Sequence, residues 1–181
     1  MVYLSMVKFM IQIIILSGLV LIVDQVIKRV ITTVLTYQQS MTIIPNFFRL
    51  TYVQNDGAAW NIFSGNRLFL ILIALFVLVL IYYFFIYKKK LSLLEKIGYS
   101  LFIGGVLGNL WDRFWLGFVI DYLDFNFGTY YYPIFNFADM AIVIGALILL
   151  WIGWRGEKDG KSNSQARTEK HTLGSVRDDC H

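Results

Sequence analysis

The chain has 181 residues, of which 57% are apolar, 17% aromatic and only 15% charged, with a formal net charge of +4. That balance excludes an ordinary soluble domain: a membrane-spanning helix needs about 20 mostly apolar residues, and four runs of that character fall at residues 9–27, 67–87, 93–111 and 134–154. The positive charge calls for no nucleic-acid partner, because the basic residues sit beside these runs as orientation signals.

The first run follows Lys8 and starts like a secretory signal. It continues into Asp24-Gln25-Val26-Ile27-Lys28 without a small-x-small cleavage site, so it reads as an uncleaved first helix. In the segment 28–66 that follows, Arg49 to Gln54 and Ala58 to Phe63 roughly alternate apolar and polar residues on either side of Asn55-Asp56-Gly57, which predicts a small β hairpin or sheet. The second run, Leu68 to Tyr87, has no charged residue in its interior and leads into Lys88, Lys89, Lys90 and Lys96. The third carries Gly104-x-x-x-Gly108, a spacing for close helix packing, and ends on Asn109, Asp112 and Arg113. Residues 112–138 form an aromatic loop with Asp121 and Asp124, and the fourth run opens on Asn136 and Asp139. The polar stretch 157–181 reads as a disordered cytoplasmic tail, leaving a membrane domain over 1–156.

Lys8, the Lys88–Lys96 group, and Arg155, Lys158 and Lys161 belong on the cytoplasmic side by the positive-inside rule. Both termini are then cytoplasmic, and segments 28–66 and 112–138 face outward. Helix one reaches Asp24 after about 24 Å of rise, helix three meets Asn109, Asp112 and Arg113 at its far end, and helix four starts with Asn136 and Asp139. Separate stretches therefore bring polar groups to one outer level. An ionised group near hydrocarbon costs roughly 2.5–3.5 kcal/mol, so such groups mark a functional site.

The only cysteine, Cys180, and both histidines, His171 and His181, lie in the tail. No thiol nucleophile, Ser-His relay or His-Glu-x-x-His zinc motif is then available at that level, no metal or cofactor is expected, and aspartates remain for proton transfer. Each has a structural reading beside the chemical one. Asp24 and Lys28 are spaced as an i,i+4 helix pair or for substrate contact. Asn136 and Asp139 match a helix cap favoured by the helix dipole. Asp112 and Arg113 read as a buried ion pair ordering the site, and Asp124 as a solvated loop residue. Gly57 is a turn residue, Asn55 a turn former or a donor to substrate, and the aromatic loop an interfacial belt or a wall for a lipid-bearing ligand.

The ordered set Asp24-Gln25-x-x-Lys28, Asn55-x-Gly57-x-Ala59-Trp60, Gly108-Asn109-x-x-Asp112-Arg113, Val119-x-Asp121-Tyr122 and Phe135-Asn136-x-Ala138-Asp139 resembles the lipoprotein signal peptidase (signal peptidase II) family over about residues 8–155. The resemblance implies a four-helix aspartyl endopeptidase of the bacterial cytoplasmic membrane, cutting signal peptides from prolipoproteins just before a diacylglyceryl-modified cysteine. It implies Asp121 and Asp139 as the catalytic pair, with Asp24, Lys28, Asn55, Gly57, Asn109, Asp112, Arg113 and Asn136 supporting the site or binding substrate. The expected partners are diacylglyceryl-prolipoproteins and membrane lipids, and the protein is expected to be a monomer. Tyr122 and Trp60 stand where many relatives have Phe. Two adjacent carboxyls share one proton, so Asp139 is expected as the ionised base and Asp121 as its protonated partner.

A small proton- or ion-coupled transporter would also place carboxylates in a membrane, but would want polar groups through the bilayer's depth and repeated halves. A non-enzymatic assembly factor is a third reading, and cleavage of a lipidated peptide by purified protein separates all three. The orientation has its own test. In a Cys180→Ser background, a cysteine at Lys89 should be labelled only from the cytoplasm and one at Thr129 only from outside; the reverse would overturn the topology.

Overall fold

The computed structural model describes residues 2–58, 62–86 and 91–155. Expectations for Trp60, Lys88–Lys90 and the tail 157–181 lie outside the described residues. Four helices and a small antiparallel sheet alternate along the chain: α1 Val2–Val34, β1 Ser40–Ile44, β2 Phe48–Asn55, α2 Arg67–Ile86, α3 Leu93–Trp115, β3 Val119–Phe127, β4 Tyr130–Tyr131 and α4 Phe137–Arg155.

Helix α1 runs well past the apolar run that predicts it, because Lys28 does not end it. The ammonium is 1% exposed and lies 2.8 Å from both Asp24 and Asp112, so its charge is neutralised inside the fold. Helix α3 starts on a capping box, in which Ser92 Oγ accepts from Glu95 N–H and Glu95 Oε2 accepts from Ser92 N–H. It extends to Trp115, where the N–H of Leu116 closes the last turn on Asp112 O at 2.7 Å.

Small residues make α3 the centre of the helical layer. A Cβ on Gly104 would lie 2.6 Å from Val20 Cβ and 2.8 Å from Ser17 O, so α1 fits there only against a glycine. Gly105 does the same for α4, where a Cβ would collide with Ala138 O and come within 2.8 Å of Ile142 Cγ1. The α1–α3 contacts rise together, from Lys96 on Gln12, through Gly104 on Ser17, to Asp112 on Gln25, so the two helices are parallel. Those between α3 and α4 run in opposite senses, with Gly98 against Ile148 and Gly105 against Ala138.

The outward helix faces carry large exposed apolar side chains, among them Ile14, Leu68, Val143 and Leu147. Among the described residues the largest fully buried side chains are instead polar: Lys28, Asn136, Asp24 and Asp112. Among the described residues two helices, Val7–Val34 and Phe137–Arg155, are long and apolar enough to cross a membrane.

The sheet order is β1-β2-β3-β4, and the reversal in the first outer segment differs from the expected one. The β1–β2 hairpin turns at residues 45–47, with Asn46 at φ 61°. At Asn55-Asp56-Gly57 the strand ends, because Asn55 Oδ1 accepts from Gly57 N–H at 2.9 Å. Of the expected second strand, residues 59–61 lie outside the described residues, and Ile62–Gly65 form a turn. The 112–138 segment likewise is not a loop throughout. Its Val-Ile-Asp-Tyr-Leu-Asp-Phe-Asn-Phe run pairs with β2 as strand β3, whose aromatic and β-branched residues suit a pleated surface. Its aromatics stack into a ledge, with Phe125 4.6 Å from Phe48 and 5.8 Å from Phe135 between ring centres. Ile31 of α1 and Leu35 just beyond its end pack on Ile120 and Tyr122 of β3, joining the sheet to the helices.

The glycine seam makes a quantitative test. Gly104→Val should lower stability by about 1–3 kcal/mol, read by thermal unfolding in detergent micelles. Gly153→Val, where an added Cβ meets nothing within 4 Å, should leave the midpoint nearly unchanged.

Candidate active site

Asp139 lies in the first turn of α4, which begins in a reciprocal cap. Asn136 Oδ1 accepts from Asp139 N–H at 3.0 Å, and Asp139 Oδ2 accepts from Asn136 N–H at 3.1 Å. The other free N–H groups of that turn are met from further away. Tyr122 Oη accepts from Phe137 N–H at 3.1 Å, and Asp24 Oδ1 accepts from Ala138 N–H at 3.1 Å. The hydroxyl that distinguishes Tyr122 from Phe thus caps the helix that carries Asp139.

Asp121 comes from near the start of β3 and is 2% exposed. Its Oδ2 accepts from Asn55 Nδ2 at 2.8 Å, and its Oδ1 from Asn136 Nδ2 at 2.7 Å. Asp139 Oδ1 accepts from Asn109 Nδ2 at 2.7 Å. Asn136 therefore touches both carboxyls, one through its side chain and one through its backbone. Burial, and then the negative charge of Asp139, push the pKa of Asp121 up to about 7, against the opposing pull of the Asn55 and Asn136 amides.

Both carboxyls open on a cavity of about 560 Å³. Asn55, Asn109 and Arg113 complete its polar side; Phe135, Met140, Val143 and Ile144 are among its apolar lining. An amphipathic chain with a polar bond to be cut and an apolar portion to be held matches such a lining. Among the described residues no cluster of three or more His, Cys, Asp or Glu is suited to a metal ion.

Behind the cavity lies the network around Lys28. Its Nζ donates to Asn109 Oδ1 at 3.1 Å as well as pairing with Asp24 and Asp112. Asp112 Oδ1 also accepts from Gln25 Nε2 at 2.8 Å, and its Oδ2 from Ile120 N–H at 3.2 Å. Asn109 Oδ1 takes a second bond from Asn136 Nδ2 at 3.1 Å. Asp24, Lys28, Asn55, Gly57, Asn109, Asp112, Arg113, Asp121, Asn136 and Asp139 thus form one connected network.

Three sequence readings change. Asp112 and Arg113 are not an ion pair: neighbours on a helix diverge, and while Asp112 turns to Lys28, Arg113 Nη2 donates to Gly57 O at 2.8 Å on the cavity side. Asp124 is not solvated; it is 4% exposed, 2.7 Å from Arg49 Nη2, and accepts from Thr51 Oγ1 at 2.7 Å. Asn55 keeps the turn role, through its Oδ1 on Gly57 N–H, and what changes is that its amide NH2 donates to Asp121 at the cavity wall. Gln25, Arg49 and Thr51 have no site role in the sequence reading, which notes Tyr122 only as a departure from Phe. Gln25 and Tyr122 lie within the motifs, whereas Arg49 and Thr51 carry no signal apart from strand alternation.

A family model described as signal peptidase (SPase) II matches residues 16–155. The lipoprotein signal peptidase of Halothermothrix orenii is 42% identical over 144 residues, covering 78% of this chain and 94% of its own. That of Staphylococcus haemolyticus is 40% identical over 131 residues, covering 72% and 83%. A bacterial membrane enzyme solved by the in meso method aligns with a TM-score of 0.73 and 36% identity over 79% of this chain and 87% of that one. A second such structure aligns with a TM-score of 0.69 and 37% identity over 77% and 90%. None of these relatives supports the transport reading. With the family model spanning most of its length and these relatives aligned over most of theirs, the chain belongs to the signal peptidase II family of aspartic endopeptidases.

Proposed function

We propose that the protein removes signal peptides from diacylglyceryl-modified prolipoproteins, cleaving before the lipidated cysteine with Asp121 and Asp139 as its catalytic pair. The observation that carries this is the shared grip of Asn136 on two carboxyls lining one cavity. All four helices cross the bacterial cytoplasmic membrane, both termini are cytoplasmic, and the site lies near the outer leaflet. Support for that orientation comes from Lys96 and Arg155, which lie at the end of the helical layer remote from the dyad and sit over the rings of Phe9 and Trp151.

In the mechanism Asp139 is the carboxylate and Asp121 the acid. Asp139 takes a proton from a water whose oxygen attacks the scissile carbonyl carbon, while Asp121 gives its proton to the carbonyl oxygen, forming a gem-diol. The C–N bond then breaks as Asp139 returns its proton to the leaving nitrogen and a diol hydroxyl returns one to Asp121. The products are a peptide carboxyl and the free amine of the lipidated cysteine. Arg113, held to Gly57 O and facing the cavity, keeps the Asn55–Gly57 turn against α3. The apolar side of the cavity, with Met140, Val143 and Ile144 of α4, suits the diacylglyceryl group, and an otherwise identical unlipidated precursor is a poor substrate.

The dyad is tested on purified protein with a lipidated precursor peptide. Asp121→Asn and Asp139→Asn should each lower kcat by ~10²–10⁴-fold with insertion and abundance near normal, and the double variant should be no worse than either single. Near-normal cleavage by both singles would sink the aspartyl reading.

The acidic partner also sets a pH dependence. Asp121 holds its proton until pH rises through about 7, so kcat/KM should fall on the alkaline side of that value and stay high just below it. A flat profile through pH 8.5 would contradict the assignment of Asp121 as the acid.

A further inference from the structure

The bond from Asn55 to Asp121 exists in only one register of β2 on β3. Nearer the sheet's outer end the strands pair as Arg49 with Asp124 and Leu50 with Leu123; nearer the site they pair as Val53 with Asp121 and Asn55 with Val119. Three steps along β2 thus match two along β3, which is a one-residue bulge at Thr51–Tyr52. Without the bulge, Asn55 would shift by one position and its side chain would turn to the face away from Asp121.

A single oxygen holds that bulge. Asp124 Oδ2 pairs with Arg49 Nη2 at 2.7 Å on the regular side and accepts from Thr51 Oγ1 at 2.7 Å at the bulge itself. Thr51 Oγ1 also meets Ser40 Oγ at 2.9 Å, tying β1 into the same point. Asp124 is nearly sealed from solvent, so the carboxylate needs these partners. Lying three positions from Asp121 along β3, it projects from the opposite face of the sheet and does not enter the cavity.

We infer that Arg49, Thr51 and Asp124 are positioning residues that lock the β2 bulge and thereby hold the Asn55 amide on the Asp121 carboxyl. This rests on the dyad reading, and acts through geometry rather than through contact with substrate. The groups that face Asp121 are Asn55 from β2, Asn136 and Asp139 at the start of α4, Lys28 from α1, and Arg113 from α3. Of these, Asn55 is the one whose position depends on the bulge. An amide donor favours the ionised carboxyl, so loosening it makes Asp121 hold its proton to higher pH.

Purified variants are assayed on the lipidated precursor peptide, normalised to folded protein. Thr51→Val, Asp124→Asn and Arg49→Gln should lower kcat about tenfold or more with little change in KM. They should also move the alkaline limb of the pH profile upward, in the direction produced by Asn55→Ala. Thr51→Ser, which keeps the hydroxyl, should behave as the unaltered protein. Thr51→Val serves where Asp124→Asn does not fold, since it preserves side-chain shape. If Thr51→Val and any folded Asp124→Asn keep kcat and the limb while Asp121→Asn is dead, the positioning role is overturned and the dyad stands. Loss of folded protein with unchanged turnover per folded molecule also overturns it. Turnover by Asp121→Asn would instead remove the dyad reading, and this inference with it.

Discussion

The buried ammonium of Lys28 is the constraint on which the interior rests. Two carboxylates, Asp24 and Asp112, lie within 2.8 Å of it on two different helices, all of them 1% exposed or less. Removing one member of such a group leaves an uncompensated buried charge, at a cost of roughly 3–5 kcal/mol, so the three stand or fall together. Each then reaches outward. Asp24 meets the first turn of α4, Asp112 meets the backbone of β3, and Lys28 itself meets Asn109. Every element that carries part of the cavity's polar side, apart from β2, is thereby referred to one point.

From that point the chemistry is built with neutral amides. Asn109, Asn136 and Asn55 place a donor on every oxygen of the two site carboxyls, by side chain or backbone. An amide can orient a carboxyl without neutralising it, whereas a lysine in its place would hold both groups ionised. The full charge of Lys28 is kept one residue away, behind Asn109. This separation of a charged frame from an amide-lined site is how a polar site persists in a molecule whose outward surface is apolar.

The helical layer is organised for close approach. Glycines on two sides of α3 let α1 and α4 come near enough for Asp24, Asn109 and Asp139 to share one network. Outward-facing leucines, isoleucines and valines need no partner in hydrocarbon, so packing between helices falls to small residues and polar bonds.

Much of this was legible in the residues themselves. Apolar runs located the helices, but α1 runs well past its apolar run because Lys28 was absorbed inside instead of ending it. The i,i+4 pair of Asp24 with Lys28 and the Asn136–Asp139 cap depend on spacing within one helix turn, and local geometry determines them. What tertiary structure decided is every relation that crosses between elements. Asp112 chose Lys28 over its neighbour Arg113 because α1 lies on that side of α3. Asp124 became buried because β3 pairs with β2 rather than looping free, and Asn55 found Asp121 only through a bulge that strand alternation does not announce. Local periodicity tells which face a residue takes on its own element; which partner waits on that face is set by packing between distant parts of the chain.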